Sequence, residues 1–416
     1  MNVAIVGGSI AGCAAAIELI RSGHAVTIYE RSKGPLQGRG AGIGTPTRTL
    51  EKLVARDLTG SDMPRFIASD HPLAGRTSER EPLGHIALTL PLDMALCNWG
   101  DLFSELRHRV PDEAYRSGRG VDSVSTDDPQ RPVLQLDDGT EHPADLVLFA
   151  DGYRSLGRWI LFPESRLNYR GYVLWRGVLE EGELSDSAPL ETALYRLHYK
   201  GLPGNAVFYF VPGRGGSVAK GSRWVNWACY IPVPDADLPG FLTDSKGRRH
   251  DGSIPPGLMR PAEEARLKRL MREHLPPYFA DIVAASRSTF AQPIYTVLVP
   301  GYVVGRCALL GDAGSVAPPF TGSGVFKATQ NAIDLADSLR TRGELEEALS
   351  AWSARQTATG QRLAVLGKQM EDAFVWEAPD LSEMDEAETR DWWNAAIQFP
   401  DDFSYVADDT STERGD

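Results

Sequence analysis

Residues 2–30 read NVAIVGGSIAGCAAAIELIRSGHAVTIYE, and the punctuation of that stretch decides the fold class. Val3 to Val6 is a short run of β-branched and small apolar residues, as in a strand buried on both faces of a parallel sheet. Gly7-Gly8-Ser9-Ile10-Ala11-Gly12 follows. Next comes an alanine-rich helix former that stops near Gly23, a residue suited to a helix C-terminus. Ala25 to Tyr29 is a second apolar strand, closed by Glu30. Strand, glycine turn, helix, strand and acidic residue make the fingerprint of a dinucleotide-binding βαβ unit. Gly7 lets the chain turn out of the strand, and Gly12 lets helix and strand pack closely. The helix start at Ile10 and Ala11 offers unpaired N–H groups to a pyrophosphate. Glu30 lies 30 − 12 = 18 residues beyond Gly12, where a carboxylate accepts hydrogen bonds from an adenosine ribose. Ser9 stands where the motif has its middle glycine. A carboxylate repels a 2′-phosphate, so FAD or NAD fits this unit better than NADP.

Two more strands end in the same manner. Asp145 to Ala150 is apolar after its first residue and runs into Asp151-Gly152, with Tyr153, Arg154, Ser155 and Arg158 beyond. Cys307 to Leu310 runs into Gly311-Asp312-Ala313-Gly314, then Ser315 to Gly324, a loop rich in glycine and proline. A helical pattern begins at Val325 and continues through Ala328, Ala332, Leu335 and Leu339. Such a loop presents backbone N–H groups at a helix start, and Asp312 is placed to bind a polyol.

Composition bounds the alternatives. The 416 residues are 42% hydrophobic and 24% charged, as in ordinary globular domains. A net charge of −13 disfavours nucleic-acid binding. No apolar run approaches the ~20 residues that span a bilayer. The first residues carry no basic segment or cleavage site, which leads us to expect a cytoplasmic protein. Cys13, Cys97, Cys229 and Cys307 are widely spaced, which argues for a reducing compartment and against a metal site.

Taken together, GGSIAG with Glu30, ADGYRSLGR, and LLGDAGSVAPPFTGSGVFKATQNAIDLADSL resemble the FAD-dependent aromatic hydroxylases, the single-component flavoprotein monooxygenases of which para-hydroxybenzoate hydroxylase is the type. The YRGYVLWRG segment starting at Tyr169 resembles the dihydroxypyridine hydroxylase branch. The resemblance implies an α/β fold: a Rossmann-like FAD-binding domain of the glutathione-reductase type, an inserted mixed or antiparallel substrate sheet, and C-terminal helices. Expected boundaries are 1–165 for the first part of the FAD domain, with an excursion near 62–95, then 166–290 for the substrate sheet. Residues 291–345 would complete the FAD domain, and 346–416 would form a helical region with an acidic tail.

The resemblance also implies roles. Gly7, Ser9, Ile10, Ala11 and Gly12 would hold the ADP half of FAD with Glu30 and Arg31, and Arg107 would lie near the phosphates. Asp151, Gly152 and Arg158 would serve FAD and the nicotinamide cosubstrate, NADH or NADPH. Gly311 and Asp312 would meet the ribityl chain. Pro319, Gly322, Ser323, Gly324 and Val325 would lie against the isoalloxazine. Ser315 and Asn331 depart from the family's usual histidine and aspartate. The implied reaction is hydroxylation of a small aromatic or heteroaromatic ring by NAD(P)H and O2 through a flavin C4a-hydroperoxide. Baeyer–Villiger oxidation, epoxidation and a non-catalytic flavin-binding role are the alternatives. No nucleic acid, membrane or metal enters this scheme, and oligomeric state stays open, a dimer among the options.

Residues 166 to about 290 have a different texture. Tyr169–Val178, Ala193–Tyr199, Ala206–Val211 and Trp224–Val233 alternate as antiparallel strands with one buried face. Trp175, Tyr209, Trp227 and Tyr230 are candidates for a flat apolar pocket. His198 is the candidate base for a phenol or pyridinol. Glu263 to His274 reads as a charged helix, and Leu345 to Leu366 as a long amphipathic one with Trp352 on its apolar side.

Overall fold

The computed structural model describes residues 1–34, 36, 41–287, 289–341 and 343–398. The expected acidic tail, 399–416, lies outside them. In chain order, β1 (Asn2–Val6), α1 (Ile10–Arg21) and β2 (Ala25–Glu30) form the opening unit. β3 (Gly42–Pro46), α2 (Thr47–Ala55), β4 (Phe66–Gly75), β5 (His85–Asn98) and α3 (Trp99–His108) follow. Then come β6 (Tyr115–Ser117), β7 (Val121–Ser125), β8 (Val133–Leu136), β9 (Glu141–Pro143), β10 (Leu146–Phe149) and α4 (Leu156–Leu161). The middle holds β11 (Asn168–Glu180), β12 (Tyr195–His198), β13 (Asn205–Val211), β14 (Trp224–Pro232), α5 (Leu238–Phe241), α6 (Pro261–His274) and α7 (Pro277–Ala285). The chain closes with β15 (Phe290–Thr296), β16 (Val303–Val304), β17 (Cys307–Leu309), α8 (Gly324–Thr341), α9 (Leu345–Glu371) and α10 (Glu386–Ile397).

The fold is the expected α/β type. One sheet has the order β16-β17-β10-β1-β2-β6, and all its pairings are parallel except the β16–β17 edge. β1 is central, and its Val3 to Val6 are buried. Every residue of α1 from Ile10 to Leu19 is buried, because the sheet covers one side of the helix and α8 another. Ala14, Ala15 and Ala16 allow that double approach.

The second sheet runs β15-β11-β14-β13-β12-β4-β5-β3. It is antiparallel apart from the β12–β4 pair. Alternation in the strands between 166 and 290 predicts one buried face. Through the middle of β11 and in β12, β13 and β14 both faces are buried, because each has its own helical cover, whereas β5 leaves Thr89, Pro91 and Asp93 exposed. Phe208, Trp227 and Cys229 pack with Met271 and Phe279 of α6 and α7. Tyr172, Leu174 and Tyr230 pack with Phe320, Met370, Phe374 and Trp393. The long helix expected at 345–366 is α9, extended to Glu371, with Trp352 fully buried. A π-helical turn, Asp372–Trp376, directs the chain across the second sheet. Among the described residues no helix is long and apolar enough to cross a membrane.

Candidate active site

The three glycine-punctuated strands end on the same side of the first sheet. At β1, Gly7 has φ +101° and a Cβ built on it meets the Ala150 carbonyl oxygen at 2.5 Å. A Cβ on Gly12 would sit 2.0 Å from the Gly7 carbonyl oxygen. Ser9 begins α1 without a side-chain hydrogen bond, so the first-turn amides keep their capacity for an external acceptor. Glu30 braces the loop. Its carboxylate accepts hydrogen bonds from the Gly8 amide at 3.0 Å and the Ser32 amide at 2.8 Å. Tyr115 donates to the Gly8 carbonyl at 2.9 Å, and the Arg107 guanidinium stacks 4.2 Å from the Tyr115 ring centre. Arg107 thus borders the loop through an aromatic ring. Arg31 is exposed at the strand end.

The second and third loops are locked together. Asp151 Oδ2 accepts from the Leu156 amide at 2.6 Å, while Oδ1 is buried with no partner among the described residues. Burial raises the pKa of this carboxyl. Gly152 has φ +81°. Buried Arg158 donates to the carbonyls of Asp312 (3.2 Å), Ala313 (2.9 Å) and Tyr153, joining the two loops. Burial lowers its pKa.

Asp312 is half-exposed, beside Gly311. Lys327, itself buried in the first turn and a half of α8, donates to Asp312 Oδ1 at 2.8 Å and to the Ser315 carbonyl. Asn331, one turn on, accepts from the Gly311 amide at 2.8 Å and donates to Gln356 of α9 at 2.7 Å. The departure at 331 is therefore a brace between loop and helices. Ser315 turns inward, its hydroxyl 2.7 Å from that of Tyr302. Gly324 opens on free space, with nothing within 4 Å of a Cβ built there.

Past the third loop is a cavity of about 120 Å³. Pro319, Phe320 and Gly322 form one end. Leu90, Leu92 and Met94, alternate residues of β5, line a side, and Val207, Tyr209 and Tyr230 of β13 and β14 line another. Its polar lining includes His71 and Arg196. Arg196 donates to Asn205 Oδ1 at 2.9 Å and lies 4.3 Å from the Phe374 ring centre. Tyr209 donates to the Gly42 carbonyl at 3.1 Å, and Arg176 donates to the same oxygen. Asn226 accepts from the Gly42 amide at 2.9 Å. Three side chains of the second sheet thus hold both backbone polar groups of one β3 residue, Gly42.

Of the expected pocket residues, Tyr209 and Tyr230 line this cavity. Trp175 and Trp227 do not. They occupy the opposite face, where Trp175 meets Phe241 edge-on and Trp227 donates to Ser286 Oγ at 2.8 Å. His198, expected as the base, is absent from the cavity wall. It shares the face of Arg196, yet Trp392 and Phe374 cover it. Burial, with Arg196 nearby, lowers its pKa to about 3. The sequence reading missed His71, Arg196 and Lys327. A lysine beside the apolar stripe of α8 was a usable signal. His71 and Arg196 carried none, since the β4–β12 pairing that joins them is nonlocal. Among the described residues no group of His, Cys, Asp and Glu is arranged to hold a metal ion.

Comparison with known proteins agrees on the architecture. Residues 169–296 match a family model described as FAD binding domain-like. The chain is 30% identical over 361 residues to 2,6-dihydroxypyridine 3-monooxygenase of Paenarthrobacter nicotinovorans, covering 86% of this chain and 88% of that one. It is 28% identical over 404 residues to aurachin C monooxygenase/isomerase of Stigmatella aurantiaca, covering 92% and 94%. The solved structure of 2,6-dihydroxypyridine-3-hydroxylase from Arthrobacter nicotinovorans superposes with a TM-score of 0.82 at 27% identity, covering 91% of this chain and 93% of that one.

Proposed function

The chain belongs to the FAD-dependent aromatic hydroxylases, and from that premise we propose how its residues divide the work. The protein is a flavoprotein monooxygenase that hydroxylates an aromatic ring. When bound, FAD supplies the redox chemistry, taking electrons from NADH or NADPH and passing them to O2. The protein binds, orients and excludes water.

In this reading the Gly7–Gly12 loop and the start of α1 hold the pyrophosphate, with Glu30 on the ribose and Arg31 and Arg107 bordering the phosphates. Asp151, Gly152 and Arg158 shape the middle of the cofactor site, where the buried Asp151 Oδ1 awaits a donor. Asp312 takes a ribityl hydroxyl. Pro319, Gly322, Ser323, Gly324 and Val325 face the isoalloxazine, and the α8 N-terminus favours negative charge there. The aromatic substrate occupies the cavity beyond.

The observation that supports this best is the cavity's size and place. It begins at Pro319 and Gly322, and cavities of roughly 150 Å³ accept a benzene. At about 120 Å³ it suits a single ring. Given the relative's activity on 2,6-dihydroxypyridine, hydroxylated azines head the substrate panel. The test is an absorbance spectrum of purified protein, then NAD(P)H oxidation with hydroxypyridines, phenols and polycyclic aromatics. Flavin bands near ~450 nm and acceleration by one-ring compounds are expected. Acceleration by polycyclic compounds alone would reject the one-ring cavity.

A further inference from the structure

The cavity wall is apolar on β5 and β13, so its few polar groups decide how a ring sits. His71 of β4 is the informative one. Its Nδ1 lies 2.6 Å from the Leu194 carbonyl oxygen. A carbonyl can only accept, so Nδ1 carries the proton and Nε2 presents a lone pair. The arrangement is held from two sides. The Leu194 amide donates to the Asp70 carbonyl at 2.9 Å, fixing β12 against β4. Trp393 packs edge-on with ring centres 5.2 Å apart. Moving the proton to Nε2 would set the Nδ1 lone pair against the Leu194 oxygen, and flipping the ring would replace the bond with a C–H contact. His71 lines the cavity, and among the described residues Nε2 has no hydrogen-bond partner. Burial and the neighbouring Arg196 lower the pKa to about 3, so the ring stays neutral at working pH.

We propose that His71 Nε2 accepts a hydrogen bond from the substrate, so that the cavity selects a one-ring aromatic bearing a hydroxyl or ring N–H on the edge facing β4. Arg196, on the same wall, favours an anionic or carbonyl oxygen elsewhere on that ring. The class is a hydroxylated arene or azine that can ionise or tautomerise. The proposal rests on the cavity being the substrate site.

The test uses the holoenzyme and three ligand pairs: phenol and anisole, 2-pyridone and 2-methoxypyridine, 2,6-dihydroxypyridine and its dimethyl ether. Dissociation constants are read from perturbation of the flavin spectrum. Sites built to bond a substrate O–H or N–H strongly reject analogues without it, so the wild type should favour one donor-bearing member by about 30-fold or more. His71→Phe should reduce that preference to about 3-fold or less while still binding the ether, and His71→Gln, which keeps an acceptor oxygen, should retain part of it. If His71→Phe loses its flavin, the Nε2 nitrogen-15 shift of the wild type decides: it should move on binding the donor-bearing ligand and stay with the ether. Equal binding within every pair, or a preference that survives in His71→Phe, would overturn the role of His71 alone. No spectral change with any compound would remove the cavity reading and this proposal together.

Discussion

At the scale of single residues, the glycines of the loops fall into two kinds. Gly12 is constrained by the protein itself, since a Cβ would meet backbone at 2.0 Å. Gly324 faces open space in the protein alone. Gly12→Ala should therefore lower both folding stability and bound FAD. Gly324→Ala should leave the apoprotein's Tm within about 1–2 °C, as substitutions without a steric mechanism do, yet weaken FAD retention. Thermal melts of apoprotein, with the 450 nm to 280 nm absorbance ratio after gel filtration, check both. The glycine spacing was legible because turn geometry is local. The polar residues of the cavity were not. Nothing local marks His71 above His198 as a cavity residue; the covering of His198 by Trp392 and the pairing of β4 with β12 separate them.

At the scale of elements, strand parity explains which aromatics reach the cavity. Trp227 and Tyr230 are three apart on β14, so they point to opposite faces. The register pairs Phe208 with Trp227 and Tyr209 with Asn226, giving β13 the same division. The strands themselves were readable from their aromatic runs. Which face would see the cavity was not, because both faces are covered and alternation no longer marks an outside. Trp227→Phe removes the bond to Ser286 and should cost about 1–2 kcal/mol of stability with KM unchanged. Tyr230→Ala should raise KM for the aromatic ring by about 10-fold or more, through lost contact area. Urea titrations and steady-state kinetics on both variants distinguish the faces.

At the scale of the whole molecule, two buried histidines set a pH limit. His71 and His198 titrate at about 3 in the folded chain, against an ordinary value of 6.5. Between those values the unfolded chain binds protons that the folded one refuses. Stability contributed by keeping them neutral is full above 6.5 and falls as pH drops towards 3. The urea midpoint should therefore drop between about pH 7.5 and pH 4.5, and His198→Phe should flatten that slope. A slope unchanged in the variant would show that His198 is not the source. The fold class was legible over this whole length because three separated loops follow one chemical pattern. The order of the first sheet has a consequence in time. Its central strand is made first, one neighbour ends at Phe149, and the next strand out ends at Leu309. At about 5–20 residues per second, Leu309 is added about 15–60 s after Val6. Cofactor loading is then a late event of synthesis, and a nascent chain interrupted before β17 holds the Gly7–Gly12 loop without the Gly311–Asp312 loop that packs against it.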